Sequence, residues 1–294
     1  GAVRGKAGAA PYAIDSQSTG WLIAGAGRMA APRFVDAMRA LPPDGRNRVR
    51  AWVASVFSHS PYRAREFALQ QQIPHFDNDY DALLARPNVR CVYVANHPRH
   101  HGETVLKALR AGKHVLCEPP LALNLEEAHY LHNAAANSGL LLALNYQHRL
   151  DPTLEVLRRM VGEHDLGSIV GGYVRNCVLL APELHTWRVE PAWGGVIFDR
   201  TLRSVDLLRF LLQEEIGSVI GVPGPRMFSG SAGDSEKEGP VEDAHAIVTV
   251  ERSGATVHLH DSYLLPHAPS RIDLFGVDHR VALDAQHVGV ALAD

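Results

Sequence analysis

The first half of the chain alternates between short apolar runs and longer amphipathic stretches. Its apolar runs have the length and composition of buried strands: "WLIAG", "VRAWVASVF", "CVYVAN", "HVLCE" and "LLLALNY". The stretches between them have helical spacing and lie at 30–41, 62–72, 102–111 and 125–138. Strands that alternate with helices of about ten residues form βαβ units around a parallel sheet. The pattern therefore predicts an α/β fold with a doubly wound parallel sheet in a first domain over residues 19–146.

The pattern changes after Tyr146. Strand-like alternation dominates there, at 168–180, 244–251, 255–264 and 271–275. Helices are expected among these strands at 152–161 and 202–212. Consecutive strands joined by short turns such as "RSGA" are typical of an antiparallel sheet. Residues 147–294 are therefore predicted to form an α+β domain around a large, open, mainly antiparallel sheet.

The composition narrows the class of protein. The chain has 294 residues, a length typical of two domains. The formal net charge is −3, with acidic and basic residues interleaved, which argues against a nucleic-acid partner. The apolar runs are far shorter than the ~20 residues that span a bilayer, so no membrane partner is expected.

Cys91, Cys117 and Cys177 cannot pair evenly, which favours a reducing, cytoplasmic location. Residues 1–18 are small and polar and are expected to be a disordered lead.

The turn "GAGRMA" is a candidate dinucleotide site because it directly follows a predicted strand and opens a predicted helix. Gly25 permits the tight turn, and Gly27 lets the backbone approach a pyrophosphate. Ala30 allows the helix to pack close to the strand, and the helix N-terminus attracts phosphates. Arg28 and Met29, inside the motif, are expected to contact the cofactor. The alternative is a structural turn in a flavodoxin-like fold that binds nothing.

The end of the second strand bears on the choice of cofactor. An NAD site needs an acid there for the ribose 2′-hydroxyl. The sequence instead offers Ser58 and His59, followed by Arg63, and no carboxylate before Glu66. These residues suit a 2′-phosphate, so NADP is favoured over NAD. The alternative is that this strand end only caps the next helix, through the pair "SP" at 60–61.

A long stretch from residue 95 to 169 carries further motifs. It begins "ANHPRHHGETVLKAL", continues through "HVLCEPPLALNLEEA" and ends "RRMVGEHDLGSI". It closely resembles the glucose–fructose oxidoreductase / inositol dehydrogenase / MocA (Gfo/Idh/MocA) family, and the similarity extends from Trp21 through nearly the whole chain. The resemblance implies that the first domain is a Rossmann domain and the second an α/β domain with a large open sheet. It also implies hydride transfer between NAD(P) and a sugar or cyclitol, and assembly of copies through the second sheet. Relatives often continue beyond the point where this chain ends, so the sheet edge is expected to be incomplete.

The family motif A-T-P-N-x-x-H appears here as "ANHPRHH". Ala95 and His101 keep the pattern, whereas Asn96 and His97 depart from it. The resemblance places Asn96, His97 and His101 next to the cofactor. A metal site at this histidine cluster is not expected, because metal sites usually have a carboxylate or cysteine nearby and matched ligand geometry.

The family motif E-K-P, whose lysine contacts cofactor and substrate, appears here as Glu118-Pro119-Pro120. The glutamate and the last proline are kept, and Pro119 stands at the lysine position. The resemblance places Glu118 and Pro119 at the cofactor. Proline can neither donate nor accept a proton, so this position cannot take part in a proton relay.

The third family motif, G-G-x-x-x-D-x-G-x-H-x-x-D, appears here as "GGVIFDRTLRSVD". Asp199 and Asp206 match the motif, but Arg203 stands where relatives have the histidine that commonly acts as acid/base. Arginine remains protonated, so it cannot be the resting base, although it can bind a carboxylate or phosphate or stabilise developing negative charge. Arg203 could also be a surface residue. Asp199 could cap a helix or orient Arg203, and Tyr146 could donate a proton or serve only in packing.

These observations leave two hypotheses. The first is an NADP-dependent oxidoreductase with a non-standard catalytic set, acting as a reductase on a small carbonyl, imine or sugar-like substrate. The second is a catalytically silent dinucleotide-binding sensor, regulator or assembly protein of the same fold. In both, a homo-oligomer is expected to form through the C-terminal sheet, where His258 and His260 alternate along one strand face.

Overall fold

The computed structural model describes residues 5–6, 18–41, 51–190, 194–225, 227, 239–266, 268, 270–284 and 288–289. The chain divides into two compact units, Gly1–Asn145 and Tyr146–Asp294. Within the described residues, no helix has the length and apolarity that a membrane span requires.

The first unit contains a seven-stranded sheet with the order β1-β4-β3-β2-β5-β6-β7. Its strands are β1 Gly5–Lys6, β2 Thr19–Ala24, β3 Ala51–Phe57, β4 His75–Asp77, β5 Val89–Val94, β6 His114–Cys117 and β7 Leu142–Leu144. Strands β2 to β7 run parallel, and β1 pairs antiparallel with β4. The strand order reverses between β2 and β5, and in open α/β sheets ligands bind at the carboxyl ends of strands at such a point.

Helices cover both faces of this sheet. They are α1 Ala30–Ala40, α2 Pro61–Gln70, α3 Tyr80–Leu84, α4 His101–Arg110 and α5 Leu125–Ser138. Successive β2 side chains point to opposite faces: Leu22 packs in the core under α4 and α5, and Ile23 packs in the core under α1 and α2. The prediction of a doubly wound Rossmann sheet is therefore confirmed.

The second unit contains a seven-stranded sheet with the order β14-β13-β12-β8-β11-β10-β9. Its strands are β8 Ile169–Cys177, β9 Ile216–Pro223, β10 Asp243–Val250, β11 Thr256–Ser262, β12 Arg271–Gly276, β13 Arg280–Asp284 and β14 Val288–Gly289. Strands β8 and β11 pair in parallel, and the other neighbours pair antiparallel. The predicted large, mainly antiparallel sheet is confirmed.

One face of this second sheet is covered and the other is open. Helices α6 Pro152–Gly162 and α7 Leu202–Leu212 supply Leu157, Leu208 and Leu211 to the core on the covered face. On the open face, Tyr173 of β8 and Ile220 of β9 are 51% and 65% exposed. We call this surface the open face.

Several elements were not predicted from the sequence. Strands β4 and β13 are short, and β9 has no alternating burial pattern because most of its residues are exposed. Strand β1 lies within the segment that was predicted to be disordered. The other residues of that segment, apart from Ser18, lie outside the described part of the chain.

Candidate functional site

At Gly25, the first position of the turn after β2, the backbone conformation and the close neighbours leave room only for glycine. Gly25 has φ +121°, and its N–H donates to the Phe57 carbonyl oxygen at 3.0 Å. A Cβ at this position would lie 2.5 Å from the backbone nitrogen of Asn96. The backbone directly after β5 therefore excludes any side chain at this position, and the tight turn predicted at Gly25 is present.

The N-terminus of α1 is open to a ligand. Gly27, Arg28 and Met29 are exposed, and no side chain caps the helix at Met29. A Cβ on Gly27 would meet a single described atom within 4 Å, the Ala95 carbonyl oxygen at 3.7 Å. Uncapped backbone N–H groups at a helix N-terminus attract phosphate. The turn therefore fits the pyrophosphate of a dinucleotide.

The end of β3 combines a helix cap with exposed polar groups. Ser60 caps α2 by accepting a hydrogen bond from the Arg63 N–H at 3.3 Å, and Pro61 opens the helix, which confirms the capping prediction. The Arg63 side chain is exposed, and the Ser58 hydroxyl oxygen accepts from the Ser60 N–H at 3.3 Å. The cap occupies Ser60 and leaves the side chains of Arg63 and His59 available to a ligand.

A carboxylate missed by the sequence analysis lies one strand further along the sheet. Asp77 ends β4 directly beside Phe57, but it is buried, and its Oδ1 accepts from the Asp79 N–H at 3.0 Å. This carboxylate is therefore engaged with its own loop.

His101 joins two loops at the carboxyl edge of the first sheet. Its Nδ1 lies 2.7 Å from the Pro120 carbonyl oxygen, and its Nε2 lies 3.1 Å from the Asn96 carbonyl oxygen. Burial lowers the pKa of His101 below its usual value. The Asn96 amide donates to Thr104 Oγ1 at 2.8 Å, and His97 Nδ1 accepts from the Arg99 N–H at 3.2 Å. The structure thus places these predicted cofactor residues in a network that fixes the loops.

Glu118 and Pro119 lie at the end of β6. One Glu118 carboxylate oxygen accepts from the Tyr93 hydroxyl at 2.6 Å and from the Asn145 amide at 2.5 Å. Pro119 is buried, and its peptide bond to Pro120 is cis. Position 119, where the resemblance places the family's lysine, therefore carries a buried ring with no polar atom.

In the second unit, Asp199 is buried and paired with a residue that the sequence analysis did not single out. Arg188 Nε lies 3.0 Å from Asp199 Oδ2, and the Tyr263 hydroxyl donates to the same oxygen at 2.9 Å. Burial raises the pKa of Asp199, but Arg188, the charge of Arg200 and the Tyr263 hydrogen bond together outweigh that effect, and the net pKa is lowered. The main-chain oxygen of Asp199 accepts from Arg203 Nε at 3.1 Å. Asp199 thus holds Arg203 through its backbone, and its carboxylate bonds to side chains rather than to a helix N–H.

Asp206 organises a second group of polar side chains. Arg149 binds it with two nitrogens, Nε at 2.8 Å from Oδ2 and Nη2 at 2.6 Å from Oδ1. His148 Nε2 lies 2.9 Å from Oδ2. Burial raises the pKa of Asp206, but the hydrogen bonds from Arg149 and His148 more than offset this and lower it to about 2. The carboxylate therefore stays ionised and fixes two residues of the turn that precedes α6.

Tyr146 lies within the electrostatic reach of this group. Burial raises the pKa of Tyr146 and the Asp206 carboxylate raises it further, while Arg203 and Arg149 oppose the shift without cancelling it. The phenol is therefore protonated at neutral pH. The second unit brings Tyr146, Arg203 and Asp206 into one neighbourhood, which contains hydrogen-bond donors and a permanent positive charge.

The fold and the glycine turn define a dinucleotide-binding α/β protein. The chain matches the description "Oxidoreductase family, NAD-binding Rossmann fold" over residues 19–146 and "GFO/IDH/MocA C-terminal domain" over residues 154–281. It belongs to the Gfo/Idh/MocA oxidoreductase family.

Similar proteins of known name act on sugars and diols. The chain is 32% identical over 260 residues to 1,5-anhydro-D-fructose reductase of Ensifer adhaerens, covering 88% of this chain and 73% of that protein. It is 34% identical over 212 residues to trans-1,2-dihydrobenzene-1,2-diol dehydrogenase of Sus scrofa, covering 71% of this chain and 61% of that protein.

The fold recurs in solved structures. Aldose-aldose oxidoreductase from Caulobacter crescentus, complexed with glycerol, aligns with a TM-score of 0.78 at 22% identity, covering 91% of this chain and 77% of that chain. An oxidoreductase domain protein from Kribbella flavida aligns with a TM-score of 0.78 at 24% identity, covering 92% and 74%. At these identities the likeness concerns the fold alone.

Proposed function

We propose that the protein is an NADP-dependent reductase of a small carbonyl, imine or sugar-like compound, with a proton-handling set that differs from its family's usual one. The observation that carries the proposal is the paired replacement at Pro119 and Arg203 in a chain that keeps the glycine turn. The two positions that normally handle the proton have changed together, while the turn fits a pyrophosphate. The cofactor role is retained and the chemistry at the substrate is altered.

Reduction suits the groups that remain. When bound, a reduced nicotinamide would supply a hydride to the carbonyl carbon. The carbonyl oxygen would then need a proton from the protein. Tyr146 is protonated at neutral pH because burial and Asp206 raise its pKa. In this proposal its phenol donates the proton, water restores it, and Arg203 stabilises the negative charge that develops on the substrate oxygen.

Oxidation of an alcohol is the less favoured direction, because it needs a base that accepts the hydroxyl proton. Pro119 offers no such atom, the Arg203 guanidinium is already protonated, and the raised pKa of Tyr146 keeps its phenol protonated at neutral pH. The relative from Ensifer adhaerens is named as a reductase of an anhydro sugar, which supports a sugar-like carbonyl substrate.

NADP is the proposed cofactor, ahead of NAD. Support comes from the exposed Arg63 on α2, next to Ser58 and His59 at the end of β3. Asp77, the carboxylate beside this strand end, is buried and bonded to its own loop. A basic residue there would bind a 2′-phosphate, whereas an acid would repel it.

The second candidate function is a silent dinucleotide-binding sensor, regulator or assembly protein. The observation that favours it is the burial of Pro119 in place of the family's lysine. In either case we propose that the protein is cytoplasmic, does not bind nucleic acid, and assembles as a homo-oligomer through the open face. The exposed apolar side chains Tyr173, Ile220 and Val222 support that assembly.

The discriminating experiment starts with fluorescence titration of the full chain with NADPH and with NADH. Single-turnover mixing of the NADPH complex with a panel of carbonyl, imine and keto-sugar compounds follows. The enzyme proposal expects tighter binding of NADPH and loss of its fluorescence with one substrate class, slowed in Arg203→Ala. Tight binding without any hydride loss supports the silent candidate, and no binding at millimolar concentration contradicts both.

A further inference from the structure

The open face carries two histidines and a carboxylate that belong to neither the glycine turn nor the Asp206 group. Asp243 and His245 lie two residues apart on β10, so their side chains share a face. His260 lies on β11 directly opposite His245 in the antiparallel register. Two paired strands thus hold all three side chains.

The three side chains converge on one point. His245 Nε2 lies 3.0 Å from Asp243 Oδ2, and His260 Nε2 lies 2.9 Å from Asp243 Oδ1. The imidazole rings stack with centroids 4.0 Å apart and an interplanar angle of 20°. One ligand atom from each residue lies within 4.8 Å of the others. Both imidazoles therefore turn the same ring nitrogen toward the two oxygens of one carboxylate.

The carboxylate is held in place by its surroundings. The Asp243 side chain is 7% exposed, and it also bonds to Ser262, its cross-strand partner on β11. A Cβ on Gly224 would lie 2.0 Å from Asp243 Oδ2, so this position has to be a glycine for the carboxylate to sit where it does. The histidine side chains are 50% and 26% exposed in the single chain, which leaves the point of convergence open to an ion or to a second copy of the chain.

We propose that Asp243, His245 and His260 bind one divalent first-row transition-metal ion, through the two Nε2 atoms and one carboxylate oxygen. Each imidazole would move its proton from Nε2 to Nδ1, so that the Nε2 lone pair faces the ion with no change in charge. The site is independent of the proposed redox function.

The donor set selects the class of ion. Two imidazole nitrogens and one carboxylate suit Zn²⁺, Fe²⁺, Co²⁺ or Ni²⁺, whereas Mg²⁺ and Ca²⁺ prefer oxygen donors only. Three protein ligands leave further coordination positions open to water or to a group from outside the chain.

The test uses the full chain without a histidine tag, stripped with a chelator and titrated with Co²⁺ and, separately, with Zn²⁺. Wild type is expected to bind one ion per chain and to show visible Co²⁺ absorption that Zn²⁺ displaces. His245→Ala removes a direct ligand and is expected to weaken binding at least as much as the ~10–100-fold that loss of an outer-shell partner typically costs. Its side chain is half exposed, so the variant should fold, which circular dichroism checks.

His258→Ala is the matched control, because His258 lies on the same face of β11 two residues from His260 and contacts Tyr173 instead. It should bind Co²⁺ like wild type. The proposal is overturned if wild type takes up no stoichiometric ion, or if the His258 variant loses as much affinity as the His245 variant.

Discussion

Arg188 donates two hydrogen bonds to the Asp199 carboxylate, from Nε at 3.0 Å to Oδ2 and from Nη2 at 3.3 Å to Oδ1. The resemblance aligns Asp199 with an aspartate of the family motif, and in the structure its carboxylate binds Arg188 and the Tyr263 hydroxyl. The main-chain oxygen of the same residue accepts from Arg203. One buried ion pair therefore fixes the turn that presents Arg203.

Removing Arg188 should destabilise the second unit strongly. Arg188→Ala leaves the Asp199 carboxylate buried without its partner, which is expected to lower the free energy of unfolding by about 3 kcal/mol. Urea denaturation measures the loss. Arg209→Ala is the control, since its pair with Glu215 has side chains 43% and 61% exposed, and solvent screening should make its loss much smaller. Equal losses in the two variants would contradict the buried-pair account.

The free energy of unfolding should depend on pH through Asp206. Its pKa in the folded protein is about 2, below the ordinary value of 3.8, so its contribution is complete above the ordinary pKa and is lost as the pH falls toward 2. Asp206→Asn should therefore be less stable than wild type at neutral pH by about 2 kcal/mol, a difference that shrinks between about pH 4 and 2. Denaturation at several pH values tests this. A difference that is constant with pH would contradict it.

Gly25→Ala should abolish dinucleotide binding. The new Cβ would lie 2.5 Å from the Asn96 nitrogen, so either the turn or the loop after β5 must move. NADPH titration measures the effect. Gly112→Ala is the control, because Gly112 also has a positive φ, +73°, but nothing within 4 Å of the added Cβ. That variant should lose about 1 kcal/mol of stability from backbone strain and keep its affinity.

Pro119→Lys alone should not create sugar dehydrogenase activity. The new amine would enter a buried position, and Arg203 would still be unable to act as the resting base. Steady-state assays with NAD⁺ or NADP⁺ and a polyol panel measure this. Robust polyol oxidation by the single variant would contradict the proposal that Arg203 prevents oxidation of an alcohol.

The sequence predicted those elements whose ends carry local signals. Helix α5 begins after Asn124, whose side chain accepts from the Glu127 N–H, and ends at Gly139 with φ +66°; both ends agree with the prediction. Helix α7 also has its predicted bounds. A cap and a left-handed glycine are visible in a single sequence because they depend on neighbours in the chain.

The sequence could not show which side chains far apart along the chain come into contact. Arg188 lies in a short 3₁₀ turn and Asp199 in a π-helical turn, and no periodicity of the sequence predicts contact between them. His260 and Asp243 are brought together by the pairing of β10 with β11. The alternation of His258 and His260 indicated a shared face, but the carboxylate came from a separate strand whose register was unknown.

Glu118 has a consequence for how the family motif should be interpreted. Its carboxylate holds the amide of Asn145, the last residue of the first unit, and the Asn145 N–H donates to the Cys117 carbonyl oxygen at 2.8 Å. The glutamate thus anchors the point where the chain leaves the Rossmann unit. This structural role does not depend on hydride transfer, so the presence of Glu118 is not by itself a sign of catalysis.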